Sequence, residues 1–181
     1  IGLSDYGKYE NYMARQIARW SKQYKNSETT IIPEMDNLIE WLPQNIPPGE
    51  ETSIVHGDFR LDNMVFDKNS NEVIAILDWE LSTLGHPIAD FTYHMMTWRM
   101  PLGVQGIGIL GANLDELNIP NENEYAEAYY QKTNRNEIHN WDFFLAYNMF
   151  RLAGITQGIA GRVRDGTASS DQAKQLSLIH I

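Results

Sequence analysis

A chain of 181 residues with 43% hydrophobic content is long enough to bury a real core and too apolar to be disordered, so one domain over residues 1–181 is expected. Its net charge of −10, with no run of Lys or Arg, argues against a nucleic-acid polymer as partner, because phosphates demand a basic footprint. The lack of cysteine removes disulfides and thiolate zinc sites, and neither a signal peptide nor a membrane span of roughly 18 uncharged apolar residues is visible, so a cytoplasmic protein is expected.

The first residue is Ile rather than Met, so the start of the gene product is expected to lie upstream. Residues 1–50 read as a helical lead-in. Tyr9, Met13, Ile17, Trp20 and Tyr24 recur at three- and four-residue spacing with Arg15, Arg19 and Lys22 between them, the period of an amphipathic helix whose aromatic stripe is core. A second helix opens with Pro33 and is expected to close before Pro43, with Met35, Leu38, Ile39 and Leu42 on one face. Pro47-Pro48-Gly49 is a turn leading into the central stretch, residues 53–80.

That stretch holds two short apolar runs, Asn63 to Phe66 and Val73 to Leu77, around a polar turn from Asp67 to Asn71, which reads as a β-hairpin. Asp58 and Asn63 enter it and Asp78 with Glu80 leave it, so three carboxylates and an amide carbonyl are expected to converge. Oxygen ligands of this kind suit magnesium, which binds through one or two carboxylates, water and substrate phosphates. A base, an Asn five residues later, a hairpin and then an Asp is also the order found in protein-kinase-like phosphotransferases.

His56-Gly-Asp-Phe-Arg-Leu-Asp-Asn63 resembles the His-Gly-Asp-x-x-x-x-Asn signature of the aminoglycoside phosphotransferase and choline kinase-like superfamily, and Asp78-Trp-Glu80 resembles its metal-binding Asp-x-Glu. Tyr6-Gly7, Arg15-Gln16, Trp20, Gln23-Tyr24 and Ser27-Glu28 upstream, with Glu80-Leu-Ser-Thr-Leu-Gly-His-Pro-Ile-Ala-Asp90 downstream, are nearer to the branch whose kinase-like domain is fused to an acyl-CoA dehydrogenase and to its stand-alone bacterial relatives. The resemblance implies an α+β, mainly helical fold: the C-terminal lobe of a protein-kinase-like enzyme with a small central β-hairpin carrying the catalytic and metal loops. It implies ATP and Mg2+ as cofactors. Asp58 would be the catalytic base for an acceptor hydroxyl, Arg60 would meet the transferred phosphate, and Asn63 and Asp78 would bind the metal-nucleotide. Glu80 would join the metal site if the segment stays extended, turning Trp79 toward the core. His56, Gly57 and Asp90 would support the loop: His56 by bonding backbone, Gly57 by permitting the turn, Asp90 by bonding the loop backbone. From the residues alone, Arg60 equally suits a surface ion pair with Asp62, and Asp90 a helix-dipole partner.

Residues 88–175 read as a helical subdomain. Gly106-Ile-Gly108-Ile-Leu-Gly111 matches a phosphate-binding glycine pattern but follows Met100-Pro101-Leu102-Gly103 and falls after the metal segment, so a flexible loop is expected. A short helix from Glu122 to Gln131 should turn Tyr125, Ala128 and Tyr129 inward. The longest helix, capped by Asn140, carries Trp141, Phe144, Leu145, Asn148, Leu152, Ile155 and Ile159, with Gly154 and Gly158 admitting a neighbour. After Arg164 a Gly-Thr-Ala-Ser-Ser-Asp run breaks the pattern, and Leu176 to Ile181 fits neither a helix end nor the family's continuation.

No glycine-rich cover or nucleotide lysine precedes the His-Gly-Asp loop, so the N-terminal lobe is expected to be missing and activity of the piece alone to be poor. The reaction class is ATP- and magnesium-dependent phosphoryl transfer to a small-molecule hydroxyl. Under the resemblance the acceptor is a hydroxyacyl-CoA, and otherwise an aminoglycoside- or choline-like alcohol. Two other classes compete: a metal hydrolase built on His56, Asp58, Asp78, His86 and His94, and a non-catalytic pseudokinase module.

Overall fold

The computed structural model describes residues 5–49, 51–102, 108–136 and 139–168. It is a mixture of helices and small sheets, with helices α1 (Tyr12–Ser27), α2 (Pro33–Gln44), α3 (Pro87–Met95), α4 (Glu122–Lys132) and α5 (Trp141–Arg164), and strands β1 (Ser53–Val55), β2 (Met64–Phe66), β3 (Val73–Ile76) and β4 (Thr83–Gly85). Where length suggests one domain, the chain partitions into two compact units. One comprises Ile1–Tyr12 with Gly49–Trp141, the other Met13–Pro48 with Asp142–Ile181. Among the described residues, no helix is long and apolar enough to cross a membrane.

The second unit is a packing of α1, α2 and α5. Met13, Ile17, Trp20 and Tyr24 of α1 are buried, as their spacing requires. Tyr9 is not part of that stripe. It is 58% exposed and precedes the helix, which begins only after Asn11 turns through a left-handed conformation. Helix α2 runs through Pro43 to Gln44 instead of stopping before it. A proline costs a helix most when it removes an interior hydrogen bond; Pro43 stands at the last turn, which the Asn45 N–H closes on Leu42 O at 3.2 Å. Lys25 Nζ reaches Asp36 Oδ1 at 2.5 Å and so joins α1 to α2.

Helix α5 buries far more than one stripe. Phe143, Phe144, Leu145, Tyr147, Asn148, Phe150 and Arg151 are all buried, whereas Leu152, Ile155 and Ile159 are half-buried. A helix enclosed on several sides loses the single-face periodicity on which the sequence reading relied. Asn140, the expected cap, takes a left-handed conformation. The expected close approach at Gly154 and Gly158 is also displaced. Side-chain carbons there would meet neighbours at 3.8 and 3.6 Å, ordinary contact, while one at Gly161 would meet Ser27 at 3.2 Å. Of these three glycines Gly161 therefore lies tightest against α1, and Gln157 Nε2 secures the junction by donating to Ser27 O and Thr29 Oγ1 at 3.1 and 2.7 Å.

In the first unit, β1 pairs antiparallel with β4, and β2 with β3, on which α3 and α4 follow. Helix α3 starts at Pro87, and the His86 Nδ1 accepts the Ile88 N–H at 3.3 Å as its cap. Helix α4 opens with a capping box, Glu124 N donating to Asn121 Oδ1 at 3.0 Å and Asn121 N donating to Glu124 Oε2 at 2.9 Å. Its inward face is Tyr125, Ala126 and Tyr129; Ala128 is exposed, contrary to expectation. The tyrosines set that face, since the Phe91 ring stacks on Tyr129 at 3.7 Å and on Tyr125 at 5.9 Å. The described part of the glycine pattern is pinned rather than flexible. Ile109 N donates to Thr97 O, Leu110 N to Met100 O and Leu102 N to Leu110 O, and a side chain at Gly108 would strike the Pro101 carbonyl. Gly106 lies outside the described residues, as do Leu176 to Ile181.

Burial pushes the pKa of His86 down, with Glu51 raising it and Arg135 lowering it in turn, and burial alone pushes His94 down. A histidine lowered in this way binds its proton more readily when unfolded. The stability it holds above its ordinary value of 6.5 is lost as the pH falls from there through the folded-state values. Melting curves between about pH 7 and about pH 5 are therefore expected to show a falling midpoint that His94→Phe flattens; an equally steep fall in that variant would contradict this account.

Candidate active site

The two sheets are successive parts of one hairpin path. Val55 pairs with Thr83 and Met64 with Ile76, and between these rungs the ladder opens into two facing loops, residues 56–63 and 77–82. Bonds across the gap hold the loops: Leu77 N donates to Asn63 O at 2.8 Å, and Ser82 Oγ donates to Val55 O at 2.8 Å. The Ser82 tether and the Leu77 backbone have no sequence signature.

His56 is 3% exposed and spans the opening. Its Nε2 lies 2.7 Å from the Leu77 carbonyl oxygen, and its Nδ1 accepts the Asp58 N–H at 3.2 Å. A carbonyl needs a donor and an N–H an acceptor, so the neighbours specify the Nε2–H tautomer and leave neither ring nitrogen for chemistry. Gly57 sits at φ +85°, where a side chain would also meet Leu81 O at 2.7 Å; both facts reserve the position for glycine. Asp90, projecting from the first turn of α3, accepts His56 N on Oδ2 at 2.7 Å and Gly57 N on Oδ1 at 2.9 Å. It thus bonds the loop backbone at two consecutive amides.

Asp58 follows this clamp directly. Asn63 Nδ2 donates to Asp58 O at 2.8 Å and Oδ2 at 3.2 Å, and Arg60 Nε stands 3.7 Å from the same Oδ2. One carboxylate oxygen is thereby fixed, and Oδ1 has no partner among the described residues. Arg60 also pairs with Asp62, Nη2 to Oδ2 at 3.0 Å, so the surface pair and the contact with Asp58 coexist. Behind the loop, Phe59 meets His94 edge-on at 6.0 Å, and His94 continues to Trp98 and Tyr125 at 5.8 and 5.5 Å. This aromatic wall was not legible in the sequence, because its members come from three separate segments.

Asp78 occupies the left-handed region, φ +65° and ψ +49°, and a single 3-10 turn, Trp79–Leu81, follows. The segment is therefore not extended, and the alternation argument that brought Glu80 to the metal site fails; Glu80 is exposed in the middle of the turn. Trp79 does not face the core. It is 48% exposed, its Nε1 donates to Ile76 O at 2.8 Å and its ring lies 4.8 Å from that of His56. The expected convergence of three carboxylates is corrected too: among the described residues, no three carboxylate or imidazole groups lie together as a metal cluster. What remains is a pair of oxygen donors. The Asn63 nitrogen is committed to Asp58, its amide oxygen has no partner among the described residues, and the register places Asn63 opposite Leu77, one residue from the exposed Asp78. Such a pair fits magnesium, which takes its other ligands from water and phosphate. His86 caps α3 and His94 belongs to the aromatic wall, so the geometry favours no hydrolase site.

Residues 1–132 match the family model described as "Phosphotransferase enzyme family". The chain is 42% identical to acyl-CoA dehydrogenase family member 10 of Mus musculus over 96% of its own length and 16% of that protein's, and 40% identical to family member 11 of Homo sapiens over 96% and 22%. It thus spans less than a quarter of either curated relative. A crystal structure described as that of a candidate aminoglycoside phosphotransferase from Ralstonia eutropha superposes with a TM-score of 0.92 at 55% identity, covering 97% of this chain and 54% of that one. With its loop pair held as described and its sequence matched over this length, the chain belongs to the phosphotransferase enzyme family.

Proposed function

We propose that these residues serve an ATP- and magnesium-dependent transfer of the γ-phosphoryl group to the hydroxyl of a small molecule. The observation that carries this reading is the fixed Asp58: Asn63 and Arg60 hold Oδ2, leaving Oδ1 for an acceptor hydroxyl. There Asp58 orients the hydroxyl and accepts its proton as the oxygen attacks phosphorus. Arg60, about half exposed beside it, offers its fork to the phosphoryl oxygens. The Asn63 amide oxygen and Asp78 carboxylate would hold magnesium, which when bound supplies the positive charge that screens the triphosphate. The acceptor class we propose is an acyl-CoA bearing a hydroxyl, in keeping with relatives named acyl-CoA dehydrogenase family members, and the Ralstonia neighbour keeps an aminoglycoside alcohol in the panel.

The test is ATP consumption by the protein carrying these residues, against a panel of hydroxyacyl-CoA, aminoglycoside and choline-like alcohols. Asp58→Asn is expected to lower kcat by about a hundredfold or more with KM within a few-fold, as loss of a positioned base should. Retention of full turnover would remove Asp58 from the chemistry. Asp78→Asn is expected to raise the magnesium concentration needed for half-maximal rate at least about tenfold while the melting midpoint stays put; an unchanged magnesium requirement would remove Asp78 from the metal site.

Asp90 acts through the loop. In Asp90→Asn one carboxylate oxygen becomes an NH2 facing a backbone N–H, so a loss of about 1–3 kcal/mol is expected in denaturant unfolding. The kcat should fall more than KM changes, and Asp90→Glu should recover less than full rate because the clamp is set for the shorter side chain. A variant as stable and as fast as wild type would show that the clamp does not position Asp58.

A further inference from the structure

We infer that a cleft between α1 and α5 in the second unit is a binding site for a phosphate-bearing anion, separate from the loop pair of the first unit and beyond the function proposed above. The cleft has a volume of 520 Å³ and is lined from each helix by one matched set of positions. Helix α1 contributes Arg19, Lys22, Gln23, Asn26 and Ser27, and α5 with the residue after it contributes Gly158, Gly161, Arg162 and Asp165. Apart from Ser27, each set follows i, i+3, i+4, i+7, so one face of each helix is turned on a single space.

Three cations meet there in a chain whose net charge is −10. Elsewhere in the same unit Lys25 pairs with Glu28 and Asp36, and Arg164 with Asp165. Among the described residues Arg19, Lys22 and Arg162 have no such partner; Arg19 only lies over the Trp20 ring at 5.5 Å. The side-chain amides of Gln23 and Asn26 are likewise uncommitted, which adds neutral donors to charged ones. Asp165 is the one acid on the lining, and the Arg164 guanidinium already holds it, Nε to Oδ1 at 2.8 Å.

Helix-end electrostatics explain part of this pattern but not all. Cations complement the roughly half-unit negative ends of α1 and α5, yet three full charges outweigh those two ends, and Arg19 lies two turns before the end of α1. Space is also kept open on the α5 side. Gly158 is buried, and a side-chain carbon there would sit 3.6 Å from Gln23 Nε2 and 3.7 Å from Arg162 Nη1, so the glycine leaves room between two donors. A guanidinium pair, an ammonium and two amides around such a volume match the oxygen-rich surface of a phosphate or diphosphate group.

The test uses the 181-residue protein, pyrophosphate and coenzyme A, with amide chemical shifts and calorimetry as readouts. Saturable shifts are expected at Gly158 and Gly161, and the double variant Arg19→Gln, Arg162→Gln should weaken binding about tenfold or more. Lys25→Gln, a charge removed from the same helix outside the cleft, should change it less than about twofold. Gly158→Met should abolish binding by filling the space with every charge retained; if that variant melts early, the charge variants decide. Tighter binding of coenzyme A than of pyrophosphate would name a nucleotide as the source of the phosphate, and equal binding a bare phosphate; either supports the site. No saturation by either probe up to about 10 mM, or equal weakening by Lys25→Gln, would overturn it.

Discussion

The candidate active site depends on a carboxylate that grips backbone rather than substrate. Asp90 accepts the amide hydrogens of His56 and Gly57, two consecutive groups that follow directly on the end of β1. A charged acceptor makes shorter and stronger bonds than a neutral one, and buried amides left unpaired are costly. Everything after the clamp inherits its position: the Gly57 turn, the His56 ring and, through the Asp58 N–H bonded to that ring, the proposed base. Helix α3 is in this sense the anchor of the loop, since its first turn carries Asp90.

The same economy governs the facing loop. His56 Nε2 ties to Leu77 O just as Asn63 O receives Leu77 N, so one residue just past β3 bonds both ends of the incoming loop. With Leu77 fixed from both sides, the chain turns through the left-handed region at Asp78 before the short helical turn begins. A non-glycine residue in that conformation is uncommon, though aspartate tolerates it better than most. Asp78 is thereby presented at the mouth of the loop pair and not folded back along a strand.

Much of this was legible because it is local. The hairpin, the Gly57 turn and the spacing from Asp58 to Asn63 are short-range facts, and the structure reproduces them within a residue. Helix α1 was legible from Met13 to Tyr24 because one face alone is buried. Failures came where a long-range constraint replaced a local rule. Asp78 and Glu80 were read as alternate residues of an extended segment with Trp79 turned to the core, but Leu77 is held by partners more than ten residues away and a helical turn follows Asp78. Helix α5 is enclosed on several sides, so no stripe could rank its residues, and of its glycines Gly161, not Gly154 or Gly158, has the tightest neighbour. The aromatic wall behind Asp58 draws on Phe59, His94, Trp98 and Tyr125, and no periodicity links segments so far apart.

The interleaving of the two units bears on how the polypeptide can be dissected. Each is assembled from two stretches of sequence, and the chain passes from one to the other after Tyr12, after Pro48 and after Trp141. No single scission can liberate either unit, and the stretch carrying α1 and α2 is an insert whose only covalent ties lead into the unit that bears the loop pair. Shortening the polypeptide at residue 132, where the family match stops, would strip α5 from that insert and take Arg151 and Gly154 away from the Trp20 ring.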